Sequence, residues 1–134
     1  MFRVIVAGGR NFNNHELLVA RLNHLLKDKK EEEIEIISGT ADGADVHGEW
    51  YAKEKGYKLV QYPAKWDDLT TPGAIIKYRK DGKPYNVKAG PDRNLLMAQN
   101  ADAAVIFWDG KSSGSKNMID TAKRLKLLVR VVKY

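Results

Sequence analysis

The sequence predicts an α/β fold: a Rossmann-like three-layer α/β/α sandwich on a mainly parallel five-stranded sheet, with an irregular insertion at about residues 64–89. Three observations predict it. Short runs rich in β-branched residues recur five times, and between them lie segments with apolar residues at helical spacing. Glycine and proline fall mostly at the edges of these segments. No repeat, low-complexity tract or linker divides the 134 residues, so a single domain over 1–134 is expected.

Taken in order, "FRVIVAG" reads as a strand buried on both faces. "NNHELLVARLNHLLKD" follows as a helix, with Leu17, Leu18, Leu22, Leu25 and Leu26 on one stripe and Asn13 or Asn14 as N-cap. "IEIISG" is the second strand. "ADVHGEWYAKEKG" is a helix ended by Gly56, and "YKLVQYP" the third strand. Regularity then lapses from about Ala64 to Ala89, where Pro72, Gly73, Gly82 and Pro84 suggest an excursion or a small hairpin. A helix is expected to resume at Pro91 in "PDRNLLMAQNA", since proline suits a first helical position. "DAAVIFWDG", "SGSKNMIDTAKRLK" and "LLVRVVKY" complete the pattern as strand, helix and strand.

No apolar run approaches the roughly 20 residues that span a bilayer, so no membrane segment is expected. Met1-Phe2-Arg3-Val4 enters the first apolar run without the features of a secretory leader, which predicts a cytoplasmic protein. The absence of cysteine removes disulfides, thiolate metal sites and thiol nucleophiles. A net charge of +6 suits an anionic partner. In "KDKKEEE" and "AKEKG" charges of both signs alternate, as on solvated helix ends. "KYRKDGKPYNVK", Lys77 to Lys88, instead interleaves basic residues with Tyr78 and Tyr85, the one stretch that reads as a nucleic-acid surface.

In an open parallel sheet ligands bind beyond the carboxyl ends of the strands. That rule brings five loops to one rim: "GGRNF", "SGTADGAD", "PAKW", "AGPDRN" and "WDGKSSGS". Each alone has a structural explanation. Gly8 and Gly9 suit a tight turn; Ser38, Gly39, Asp42, Gly43 and Asp45 suit turn and cap chemistry; Trp66 suits a core. Together they describe anion and sugar binding. Glycines let backbone amides approach a phosphate, and helix amino termini add free donors. The candidates are Gly8, Gly9, Arg10, Asn11, Phe12, Ser38, Gly39, Asp42, Gly43, Asp45, Trp66, Gly90, Arg93, Asn94, Asp109, Gly110, Ser113, Gly114 and Ser115. Arg10 and Arg93 are assigned to phosphate oxygens, the "SSGS" run to a phosphate cradle, and Asp42 and Asp45 to ribose hydroxyls or to orienting the arginines.

Neither "GxGxxG" nor "GxxxxGK[ST]" is present, which argues against a dinucleotide dehydrogenase and a P-loop NTPase. His15, His24 and His47 lack metal-ligand spacing, and no cofactor or metal is expected. His47 lies just past the second loop, close enough in sequence to approach the rim, although a hydrogen-bonded structural histidine is the preferred reading.

The ordered motifs "VAGGRNF", "ISGTADGADVHGEWYAKEKG", "AKW", "AGPDRNLLM" and "WDGKSSGSKNMIDTAK" resemble the YspA-like branch of the SLOG superfamily. That superfamily includes the Lonely Guy phosphoribohydrolases and the DNA-processing protein DprA. The resemblance covers nearly the whole chain outside about 68–88. It implies a Rossmann-like domain recognising nucleotides or nucleotide-derived signals in bacteria or phages. By position, Gly8, Gly9 and Arg10 match the first ligand-facing loop, and Ser38, Gly39, Asp42, Gly43 and Asp45 the second. Arg93 and Asn94 match "AGxxRN", and Gly110, Gly114 and Ser115 fall in the phosphate loop. One departure affects catalysis. The Lonely Guy pattern "PGGxGTxxE" puts its catalytic glutamate at Met118, and a thioether neither moves a proton nor stabilises an oxocarbenium ion.

Three expectations follow. The first is a module that binds or senses a nucleotide-derived small molecule without turnover. The second is an N-glycosidic nucleotide hydrolase in which Asp42, Asp45 or Asp120 replaces the glutamate. The third is single-stranded nucleic-acid binding of the DprA kind. Pairing into a homo-oligomer is compatible with the resemblance, and the insertion is open to two roles, a lid hinged at Gly73 and Gly82 or a partner-binding element.

Overall fold

The structure is a computed structural model describing residues 1–134. Seven strands and four α-helices follow one another. They are β1 (Phe2–Gly8), α1 (His15–Leu26), β2 (Ile34–Ser38), α2 (Ala44–Lys55), β3 (Lys58–Gln61), β4 (Ile76–Tyr78), β5 (Pro84–Asn86), α3 (Ala89–Gln99), β6 (Ala103–Trp108), α4 (Ser113–Arg124) and β7 (Leu128–Lys133), with one 3₁₀ turn at Glu31–Glu33. The main sheet has the order β3-β2-β1-β6-β7 and is parallel throughout. β4 and β5 form a separate antiparallel hairpin.

Strand periodicity explains the layers. Successive side chains of β1 point to opposite faces. Val4 and Val6 join Leu18, Leu22 and Leu26 of α1 and Tyr51 of α2 on one side. Ile5 and Ala7 join Met97 of α3 with Met118, Ile119 and Ala122 of α4 on the other. β1 can therefore be apolar through Val4–Ala7, all buried. The buried charge in the inner strands is Glu35 of β2. It lies opposite Arg3 on one side and Lys58 on the other, and its carboxylate accepts Arg3 Nε at 3.1 Å and pairs with Lys58 Nζ at 3.3 Å.

Element ends follow local chemistry. Asn14 is the cap of α1, its Oδ1 accepting the amide of Leu17 at 3.1 Å. Gly56 ends α2 at φ 75° and donates its amide to Ala52 and Lys53. α3 begins at Ala89, not at Pro91 as the sequence predicts. Pro91 sits in the first turn, where a missing amide hydrogen still costs no helical bond. The insertion forms the hairpin. Its anchor is buried Asn86, whose amide donates to Trp66 O and whose Oδ1 accepts the amides of Ile75 and Lys88.

The chain winds from β1 to β2 and β3, then crosses to the other side of β1 to lay down β6 and β7. The direction of winding across the sheet therefore reverses between β1 and β6, which stay parallel, and this is the place where such folds bind ligands. No helix is long and apolar enough to cross a membrane.

Candidate ligand-binding site

A hollow of about 710 Å³ opens at the carboxyl ends of β1 and β6. Gly8, Arg10 and Asn11 border it after β1, and Asp45 from α2. Trp66 comes from the insertion, Gly90, Arg93 and Asn94 from α3, and Ser112 to Ser115 with Asn117 from the start of α4. Its floor is apolar, with Ala7, Met97 and Met118. A second hollow of about 300 Å³ adjoins it across Arg10, Trp66 and Arg93, and takes in Gly39, Thr40 and Asp42.

The start of α4 carries open donors. Ser112 is the cap, accepting the amide of Ser115 on Oγ at 3.4 Å, while Asp109 Oδ1 accepts the amides of Lys111 and Ser112, both at 2.8 Å. The amides of Ser113 and Gly114 have no partner. No acidic residue in the first turn offsets the positive end of the helix.

Arg93 is half fixed and half free. Nε donates to Asn94 Oδ1 at 3.0 Å, and Nη1 donates to the carbonyl oxygens of Gly39 and, at 3.4 Å, Tyr62. The two Nη2 hydrogens have no acceptor in the protein, in a side chain that borders both hollows. Burial pulls the Arg93 guanidinium below its ordinary pKa, against the attraction of Asp45. Arg10 is exposed and makes no hydrogen bond or ion pair with the protein.

Asp45 is buried, and its Oδ2 accepts the amide of Ala41 at 3.2 Å. Loss of hydration pushes its carboxyl up to about 6 from 3.8, against the lowering effect of that amide and of Arg93. Gly39 separates the two charged groups. A Cβ there would lie 2.6 Å from Arg93 Nη1 and 2.8 Å from Asp45 Oδ2.

Several predicted residues serve the frame instead of the hollow. The space beside Gly9 is filled by the Tyr134 hydroxyl, not by a ligand, and that hydroxyl also donates to Asn11 Oδ1 at 2.7 Å. Phe12 is core, packed on Phe107 and Tyr134. Ser38 is buried, donating to Glu49 Oε2 at 2.6 Å and accepting the amide of Thr40. Gly43 lets the backbone of Gly9 and Arg10 pass. Asp109 and Gly110 shape the turn before α4 and border neither hollow. Asp120 lies outside both and pairs with Lys116 at 2.8 Å. His47 packs on Phe12, Trp50 and His15, its Nδ1 2.9 Å from that of His15, away from the rim.

Sequence reading missed Asn117 and Thr40, while Ser112 falls in the "SSGS" run read as a phosphate cradle. Asn117 Oδ1 accepts Asn94 Nδ2 at 3.0 Å, joining α3 to α4. Thr40 is held at φ 65°, unusual for a β-branched residue and a mark of strain beside a site. Only its "SGT" context, a small-residue turn after a strand, hinted at it.

The YspA, cpYpsA-related SLOG family matches residues 2–68, half of the chain. The chain belongs to this family. The matched part of this SLOG protein carries the loops after β1, β2 and β3, while Arg93 and the start of α4 lie beyond it. No curated protein matches it significantly. Solved structures with the same fold include DNA processing protein A (DprA) of Streptococcus pneumoniae (TM-score 0.67, 18% identity) and of Helicobacter pylori (TM-score 0.67, 20% identity), the latter described for its single-stranded DNA binding mode. The alignments cover 97% of this SLOG chain but only 49% and 64% of those proteins, so it spans about half to two thirds of their length. The structural-genomics target TM1055 aligns over 96% of the SLOG chain and 72% of its own (TM-score 0.60, 20% identity).

Proposed function

We propose that the hollow binds a nucleotide or nucleotide-derived small molecule through its phosphate and ribose, without a cofactor. The observation that carries this reading is the meeting of unpartnered donors of three kinds. These are the amides of Ser113 and Gly114, the Nη2 edge of Arg93 and the free guanidinium of Arg10. Amides at an uncompensated helix start receive a phosphate, and two forked guanidinium groups grip its oxygens. The volume lies in the range of small-ligand pockets. Asp42, exposed in the second hollow, offers an acceptor for sugar hydroxyls.

Arg10 gives the cleanest test, because nothing in the protein depends on it. Arg10→Ala is expected to leave the melting temperature unchanged. It should weaken nucleotide binding about 10- to 100-fold, the range for one charge-assisted hydrogen-bonded contact. Titration calorimetry against nucleoside monophosphates, diphosphates and NAD derivatives reads this directly. Binding of none of them, or binding indifferent to Arg10, would refute the reading.

A second reading, hydrolysis of an N-glycosidic bond, has one observation in its favour: Asp45 borders the hollow with a carboxyl raised to about 6, a value suited to proton transfer. Against it stands Met118, buried at the floor where the Lonely Guy pattern has glutamate. Free base released in proportion to protein would favour hydrolysis, whereas thermal stabilisation without turnover favours sensing. Single-stranded DNA, the partner of the Helicobacter pylori protein, presents the same phosphates, but donors converging on one hollow of about 710 Å³ favour a small ligand over a long strand.

A further inference from the structure

The geometry points to the β4–β5 hairpin as a binding surface for single-stranded nucleic acid, adjoining the hollow through Trp66 but with its cationic tip and Tyr78 outside it. Charge is the first ground. Between Ile75 and Lys88 five basic residues (Lys77, Arg79, Lys80, Lys83 and Lys88) stand against one acidic residue, Asp81, giving net +4 of the chain's +6 in fourteen residues. Lys77, Arg79, Lys80 and Lys83 are all exposed.

Aromatic placement is the second ground. The register sets Lys77 opposite Tyr85 and Tyr78 opposite Pro84, so Tyr85 and Tyr78 stand on opposite faces. On one face Arg79 stacks over Tyr85 at 4.9 Å, and Tyr85 meets Trp66 edge-on at 6.4 Å. On the other, Tyr78 is 71% exposed beside exposed Ile76, an aromatic with no packing role in the fold. Neither strand pairs with the main sheet, yet the buried Asn86 bonds hold the hairpin in place. A rigid ribbon of cations with a free tyrosine face suits a sugar-phosphate backbone whose bases are unpaired and free to stack. An acidic peptide would use the charge alone and leave Tyr78 without a role, and an anionic membrane, which could seat Tyr78 and Ile76, would leave the Arg79–Tyr85 stack without one. A duplex hides its base faces.

The test uses the full chain and a fluorescein-labelled oligothymidylate of about 12 nucleotides, followed by anisotropy. With about four phosphates neutralised, affinity should fall about 50-fold between roughly 50 and 200 mM salt. Lys80→Glu with Lys83→Glu, at the exposed hairpin tip and outside both hollows, should flatten that salt dependence and weaken binding more than tenfold. Tyr78→Ala should weaken it about tenfold at constant salt. Both variants should keep the wild-type melting temperature and the wild-type affinity of the hollow for mononucleotides. No binding at about 50 mM salt would overturn the proposal, as would binding unaffected by the hairpin variants. Equal affinity for a duplex of the same length, for polyglutamate or for anionic vesicles would overturn it too.

Discussion

Replacing Gly43 with alanine is expected to destabilise the protein by about 3 kcal/mol or more and to disable the hollow at the same time. Gly43 adopts φ 75° and ψ −123°, a combination that side chains with a Cβ avoid. A Cβ there would meet the carbonyl oxygen of Gly9 at 2.2 Å and the carbonyl carbon and oxygen of Arg10 at 2.6 Å. These are backbone atoms, so relief requires the first loop to move away from the start of α2. That loop is tied down: Gly9 O accepts the amide of Ala44 at 3.1 Å, and the Gly9 amide donates to Phe107 O at 3.0 Å. Displacing it carries Arg10 out of the hollow. Gly114→Ala is the matched control. Its Cβ would meet nothing, its φ is ordinary, and alanine favours a helix, so stability should be unchanged or slightly raised. Urea denaturation of the two variants separates the cases. Wild-type stability in Gly43→Ala would show that the loops are not locked together as described.

The two glycines mark how far the sequence was legible. Alternating strands and helices could be read because each carries its own period, and the five-stranded sheet and four helices fall where that period places them. The start of α3 was misplaced because proline is tolerated throughout a first helical turn, so Pro91 marks the turn and not its first residue. Within the rim, glycine announces missing volume without saying what occupies it. Tyr134 fills the space at Gly9, crossing backbone fills it at Gly43, and Trp66 fills it at Gly90. Asn117 was invisible for a different reason. A polar residue inside an amphipathic helix reads as solvent-facing until the neighbouring helix, here α3 with Asn94, is placed beside it. His15 and His47 stand 32 residues apart, and only the packing of α1 against α2 brings their rings together.

Asp45→Asn is expected to change the pH dependence of stability by on the order of 3 kcal/mol, and the sign follows from linkage. The folded carboxyl titrates near 6 and the unfolded one near 3.8, so between these values the folded protein holds the extra proton. Its contribution is therefore complete below about 4, declines as pH rises through 6, and is gone by about 7, where a buried carboxylate is ionised beside Arg93. Asparagine retains an acceptor for the Ala41 amide and carries no charge. Measured by denaturation at pH steps, the variant should gain on the wild type steadily from about pH 4 to 7. Parallel curves would show that Asp45 does not titrate as described. The same variant should bind nucleotides more weakly at neutral pH, because the negative charge that attracts the Arg93 guanidinium and favours its ionised form is lost. A residue that costs stability when ionised, yet borders the hollow alongside the rim arginine, is expected where a fold trades stability for binding. A variant that is more stable above pH 7 and equally competent in binding would separate those two roles and leave the buried charge without a function in ligand recognition.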